Sequence, residues 1–200
     1  MRTIPVCFLI LCACLLAACS PAGSAATSTP QPAATDAGFF TSDGGGEPRT
    51  PGYWLAWNSC AEGNMAETAR ANGGQEKGWF IMDDFLAQPG IAAGAIMVED
   101  CQQGVSLLQG KDLQGVDRSN DPAYALAAQL VAAQLNQAAG AEDCPAAAEA
   151  ISAAQLLLSE LSFDGSRGYL GPPQASADVD TAKQLAEQLS NFNAGSLCRP

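Results

Sequence analysis

Three long stretches of alanine and leucine at helical spacing, all in the carboxyl-terminal half, do most to limit what this chain can fold into. Asn120-Asp121-Pro122 combines an Asx cap with proline in the first turn and opens AYALAAQLVAAQLNQAAG, which predicts a helix start. Tyr124, Ala127, Val131 and Leu135 form one stripe, widened by Leu126, Leu130 and Ala133, and Gly140 is a natural stop. A second helix is predicted from Asp143-Cys144-Pro145 to about Ser162, with Ala147, Ile151, Ala154, Leu158 and Leu161 inward. The third runs from about Ala177 to Asn193, with Val179, Ala182, Leu185, Ala186, Leu189 and Phe192 inward and Gly195 as cap. Lys183 and Glu187 form an i,i+4 pair on it, of the less favourable polarity. Alanine faces let helix axes approach closely, and short connections favour an antiparallel arrangement. Upstream, Ala95-Ile96-Met97-Val98 reads as a short buried strand or extended segment, and Glu99-Asp100 caps a short helix whose Cys101, Val105 and Leu108 share a face.

The first 19 residues, MRTIPVCFLILCACLLAAC, have a positive start at Arg2, an apolar run from Ile4 to Ala18 and a small-residue end. At about 1.5 Å of rise per residue that run is too short for a hydrocarbon core of about 30 Å, so it reads as an export signal. Its end, Leu16-Ala17-Ala18-Cys19, resembles the lipobox of bacterial lipoprotein signal peptides. That resemblance implies diacylglyceryl on the Cys19 thiol, cleavage before it, and acylation of the new amino terminus by a fatty acid such as palmitate. More than one acyl chain gives stable membrane anchoring, and Ser20 would favour the outer membrane in a cell with two. Ser20 to Pro51 is rich in Ala, Pro, Ser, Thr and Gly, a composition that buries too little apolar surface to offset chain entropy. Such a tether of about 32 residues would hold a domain roughly 30 Å from its anchor, with Phe39-Phe40 as its one sticky spot. The expected organisation is a signal peptide over 1–18, lipidated Cys19 and tether over 19–51, and a helical surface domain over 52–200.

With Cys7, Cys12 and Cys14 lost in the signal and Cys19 taken by lipid, Cys60, Cys101, Cys144 and Cys198 remain. An even count in an exported chain favours disulfides over zinc, since no CxxC pair is present. Of the three pairings, Cys60 with Cys101 and Cys144 with Cys198 follows from the helices: Cys144 opens the second and Cys198 lies just past the third, so antiparallel neighbours bring them together. The expected fold is mostly α, a small disulfide-stabilised antiparallel helical bundle with an irregular amino-terminal segment.

The 200 residues include no histidine, which removes histidine triads, imidazole metal sites and histidine proton shuttles. Once the signal is gone, 8 basic residues face 21 acidic ones, a side-chain charge of −13. That charge repels phosphate backbones and anionic membrane surfaces alike, so nucleic acid is excluded as a partner and membrane contact is expected through the lipid on Cys19.

Thr50-Pro51-Gly52-Tyr53-Trp54 resembles the opening of a bacterial and archaeal module of secreted and cell-surface proteins whose usual form is TPGYWKNH. The likeness continues through Val98 to Cys101, Leu107-Leu108, Asp121 to Leu130, Leu135-Asn136 and Ala138 to Gly140. It closes with Phe163-Asp164-Gly165, Gly168-Tyr169-Leu170 and Asn191 to Gly195. Leu55-Ala56-Trp57 stands where the family has Lys-Asn-His. The resemblance implies a surface setting and brings no catalytic signature.

Tyr53, Trp54, Trp57 and Trp79 concentrate large aromatics in the amino-terminal third. Exposed together they form a candidate ligand platform for a sugar ring of a cell-surface glycan, or for a protein; buried, they are a lid over alanine-rich helices. Asp117, Asn120 and Asp121, and separately Asp164-Gly165-Ser166, carry oxygen ligands for a hard cation, but each is also explained as cap or turn, so no metal and no cofactor is expected. Asp83-Asp84 and Glu99-Asp100 are the candidate acid pairs for a glycoside hydrolase-like alternative. No Ser-x-x-Lys and no phosphate-binding loop is present. The reading is therefore of a binding or display module rather than an enzyme, with a purely structural surface domain as the other alternative.

Overall fold

Residues 46–88, 90–171 and 176–199 are described by a computed structural model, and all of them belong to the unit Gly38–Pro200. The signal, the lipobox with Cys19, Phe39-Phe40 and the tether up to residue 45 lie outside the described residues. Helices α1 (Pro51–Ala56), α2 (Ala66–Ala71) and α3 (Met82–Leu86) come first, with a 3-10 turn at Gly74–Lys77. They occupy the stretch expected to be irregular, because elements of five or six residues are too short to show a period. A two-stranded antiparallel hairpin follows, β1 (Ala92–Ala93) and β2 (Ile96–Met97), and then α4 (Cys101–Leu108), α5 (Pro122–Ala138), α6 (Pro145–Glu160) and α7 (Ala177–Asn193).

Helix α5 is the axis of the fold. Its first turn is capped by Asp121, whose Oδ1 accepts from the Ala123 N–H at 3.0 Å. The anticipated stripe is buried, and so are Ala123, Ala128, Ala132 and Asn136 on its other sides. A helix surrounded in this way has no polar face for periodicity to reveal. The turns between helices set α6 antiparallel to α5. Helix α7 runs beside α5 in the same sense: Ala125 and Ala128 line one recess with Ala186 and Glu187, while Asn136 meets Asn193 further along. Phe163, Tyr124 and Tyr169 close the other end of the bundle, with ring centroids 4.8 to 6.0 Å apart.

Both disulfides join the expected cysteines, Cys60 to Cys101 and Cys144 to Cys198, with Cα separations of 6.0 and 5.7 Å. Such bonds persist in oxidising, extracytoplasmic compartments. The turn carrying Cys60 is organised by buried Asn58, whose Nδ2 donates to the Leu55 carbonyl at 2.6 Å while its Oδ1 accepts from the N–H groups of Cys60 and Ala61. The hairpin tip is pinned to α6: Gln155 exchanges two hydrogen bonds with the Gly94 backbone, and the Ala95 N–H donates to the Phe163 carbonyl. Gly94 has φ +61°, and a Cβ there would stand 2.6 Å from the Phe163 oxygen, so turn and close approach both demand glycine.

Two expectations are corrected. The domain starts before residue 52, since Gly46 bridges to Ala141 and Arg49 is buried. A single arginine amid small residues gives no sign that it packs inward. Lys183 and Glu187 do not pair; the ion pair among the described residues is Arg118 with Asp112, at 3.0 Å. Both partners of the missing pair are exposed, where water competes effectively for each charge.

Candidate functional site

The aromatic residues singled out in the sequence gather around α1. Thr50 caps this helix, its Oγ1 accepting from the Tyr53 N–H at 3.4 Å, and Pro51 fills the first turn where no N–H is needed. Tyr53 and Trp57, four residues apart, share one face. Their rings stack at 5.7 Å with an interplanar angle of 27°, and Trp79 lies 5.1 Å beyond Trp57. All three are half-buried, with Trp57 and Trp79 resting on Ala66, Ala69 and Ile81.

Trp54 does not belong to this row. One position beyond Tyr53, it points about 100° around the helix and is fully buried, edge-on to Phe85 at 5.8 Å. The platform expected from four aromatics is therefore a row of three. Burial of Trp54 would strand its indole N–H, but Nε1 donates to Asn136 Oδ1 at 3.2 Å.

Asn136 is the hub of a buried polar network that periodicity alone does not reveal. Its Oδ1 also accepts from the Arg49 N–H at 2.9 Å, and its Nδ2 donates to the Arg49 carbonyl at 2.8 Å and to Asn193 Oδ1 at 2.9 Å. Asn193 in turn donates to the carbonyl and side chain of Gln129. No buried side-chain nitrogen or oxygen among the described residues lacks a partner. In the sequence Asn136 stands among Gln134, Leu135 and Gln137, and nothing local marks it as the amide that turns inward. Arg49 continues the aromatic row, its guanidinium carbon 5.0 Å from the Tyr53 centroid and 4.2 Å from that of Phe80, a cation–π arrangement. Burial lowers the Arg49 pKa from its ordinary value and raises that of Tyr53, whose hydroxyl donates to the Phe80 carbonyl at 3.1 Å.

The acidic candidates are occupied in the fold. Asp121 accepts the N–H groups of Ala123, Tyr169 and Leu170 on both oxygens. Asp83 accepts from the N–H and hydroxyl of Ser59, and Asp100 caps α4 through the Gln103 N–H; Asp84 and Glu99 are exposed. Among the described residues no three Cys, Asp or Glu side chains are grouped to hold a metal.

Asp164 is bound by the hydroxyls of Ser166 and Tyr169 and the Ser166 N–H, which bring its pKa down to about 2. Asp112 was not singled out in the sequence. Burial pushes its carboxyl up, but the Val116 N–H, the Arg118 guanidinium and the Gln114 N–H together hold it below the usual range. A depressed folded-state pKa stabilises the fold above the unfolded value of about 4 and ceases to do so as pH falls through the folded value. Urea unfolding of wild type and Asp164→Asn should therefore show a stability gap that is full above about pH 4 and closes toward pH 2. A gap independent of pH would contradict these hydrogen bonds.

No protein-family model, curated protein or solved structure matches the chain.

Proposed function

We propose that this chain is a lipid-anchored, extracytoplasmic binding and display module, akin to the surface module that Thr50 to Trp54 resembles. In a cell with two membranes it would sit on the outer one. The observation that carries the reading is the row Tyr53, Trp57 and Trp79 on a disulfide-braced domain: Tyr53 and Trp57 stack, Trp79 leans on Trp57 at 41°, and each is half-buried while Trp54 alone goes under. Half-buried rings fixed by their neighbours offer apolar area at small entropic cost, which suits the apolar faces of glycan rings or a protein partner. Catalysis is not part of the proposal, because one member of each acid pair already serves a turn or a cap.

Binding of the full chain to glycan and cell-wall arrays tests the reading, with Trp57→Ala/Trp79→Ala as the comparison. The pair should lose at least about tenfold in retention, and undiminished retention by the double variant would overturn the assignment of the row. Anchoring is tested by metabolic labelling with a clickable fatty acid, which should mark the wild type and not Cys19→Ala. Equal labelling would remove the lipid from the proposal.

A further inference from the structure

A second recess, apart from the aromatic row, lies where the start of α5 meets the loop that follows α6. It is an open recess of about 390 Å³ between residues 117–121 and 168–171, a volume within the range of about 300 to 1,000 Å³ usual for small-molecule sites. We infer that this recess binds a neutral saccharide unit through Asp117, Asn120 and the free edge of the Arg118 guanidinium.

Three observations converge on that chemistry. The first is the division of labour among the polar groups. Asp121 forms the floor, but its oxygens are filled by backbone N–H groups. Arg118 gives Nε and Nη2 to Asp112, which leaves Nη1 at the recess, 3.9 Å from where a Gly168 Cβ would stand. Asn120 is exposed and its amide bonds no described residue. Asp117 is exposed; its Oδ1 accepts from the Ser119 N–H at 2.8 Å, with the Ser119 side chain and the Lys111 charge also acting on the carboxylate, which holds it in place and leaves acceptor capacity for a ligand. One short loop thus presents an acceptor, a group that both donates and accepts, and a donor. Adjacent hydroxyls, each able to donate and accept, match that set.

The second is charge. A bare cation would meet the guanidinium and find Asp121 already saturated. An anion would meet Asp117 and a guanidinium that Asp112 has neutralised. A polar ligand without charge avoids both costs.

The third is the pair of glycines in the floor. Neither Gly168 nor Gly171 has a left-handed φ, and a Cβ at either would sit 3.5 or 3.8 Å from Asp121 Oδ2, in ordinary contact. The backbone tolerates a side chain at both positions, so what their absence supplies is space. Tyr169 also lines the recess, its N–H bound to Asp121 and its ring held by Phe163 and Tyr124 with the Arg167 guanidinium carbon 5.4 Å from the centroid.

This inference rests on the reading of the chain as a surface binding module and adds a site to it. The test is titration of the full chain with cellobiose, maltose and chitobiose, followed by backbone amide shifts and by melting temperature. Saturable shifts centred on residues 117–121 and 168–171 are expected for at least one of these sugars. Affinity should fall at least about tenfold in Asp117→Ala/Asn120→Ala and in Gly168→Ala, and the melting temperature of Gly168→Ala should match that of the wild type. Binding that survives both variants but is lost in Trp57→Ala/Trp79→Ala would overturn the recess and leave the aromatic row standing. No saturable shift from any of the three sugars would overturn it also, as would saturation of the same amides by calcium or inorganic phosphate alone. Loss in the recess variants with retention in the tryptophan variant would support the recess and count against the row.

Discussion

Asn136→Leu is expected to destabilise the domain by about 3 to 5 kcal/mol, a loss visible as a lower urea midpoint with an unchanged slope. The side chains branch at the same carbon, so no cavity and no lost apolar contact is the cause, though leucine's bulkier methyls, placed where partners stand 2.8 to 3.2 Å away, add some overpacking. Four buried groups lose their partner at once: the Arg49 N–H and carbonyl, the Trp54 indole N–H and the Asn193 side-chain oxygen. Each stranded group costs about 1 to 3 kcal/mol, partly relieved by small shifts that admit water. Asn136→Asp separates the two halves of this effect. The carboxylate keeps an acceptor for Arg49 and Trp54 but sets a second oxygen against the Arg49 carbonyl and Asn193 Oδ1. Burial would raise the pKa of that new carboxyl above its unfolded value, so its penalty grows as pH rises through about 4. The deficit of Asn136→Asp against wild type should therefore shrink toward low pH, whereas that of Asn136→Leu should not. Trp54→Phe, which removes the indole donor and keeps a ring, should couple to Asn136→Leu rather than add to it. Strict additivity would show that Trp54 and Asn136 act independently and would remove the hub.

The bundle was legible because each of its helices announces itself twice, in period and in punctuation. Asp121-Pro122 and Cys144-Pro145 begin α5 and α6 where the structure has them, and Gly140 and Gly195 follow the ends of α5 and α7 with φ of +82° and +72°. Two antiparallel helices then leave the cysteines little choice. Legibility fails where contacts join residues far apart in the chain. Asn136 bonds Arg49 and Asn193, 87 and 57 residues away, and nothing local distinguishes a buried asparagine from one on a solvated face. The short helices between residues 51 and 86 take their form from packing under Trp54, Phe85 and Ile81 rather than from propensity. The aromatic row was half legible. Composition put four rings close in sequence, but only the rotation of α1 decides which one turns inward. The recess at Asp117 and Gly168 joins two loops that the sequence presents separately, as candidate cation ligands and as a turn.

The two disulfides close loops of nearly equal length, with separations of 41 and 54 residues, so chain entropy alone favours the longer by only about 0.2 kcal/mol. Removing either pair should cost about 2 to 5 kcal/mol, and where the damage appears should differ. Without Cys60–Cys101 the turn at Asn58 keeps its three hydrogen bonds and α1 keeps Trp54 in the core, so loosening should stay within residues 57–71. Cys144–Cys198 has no such local substitute. Cys144 is the residue before α6, where no side-chain cap bond supports the first turn, and Cys198 lies five residues past the last residue of α7, Asn193. Its loss frees the start of one bundle helix and the end of another, both packed on α5. Amide exchange in Cys144→Ser/Cys198→Ser should therefore rise across α6 and α7 together, while in Cys60→Ser/Cys101→Ser those helices should exchange as in wild type once the global stability change is subtracted. Confinement of the Cys144–Cys198 effect to the last few residues would mean that α7 is held by Leu189, Phe192 and the Asn193 bonds without help from the crosslink.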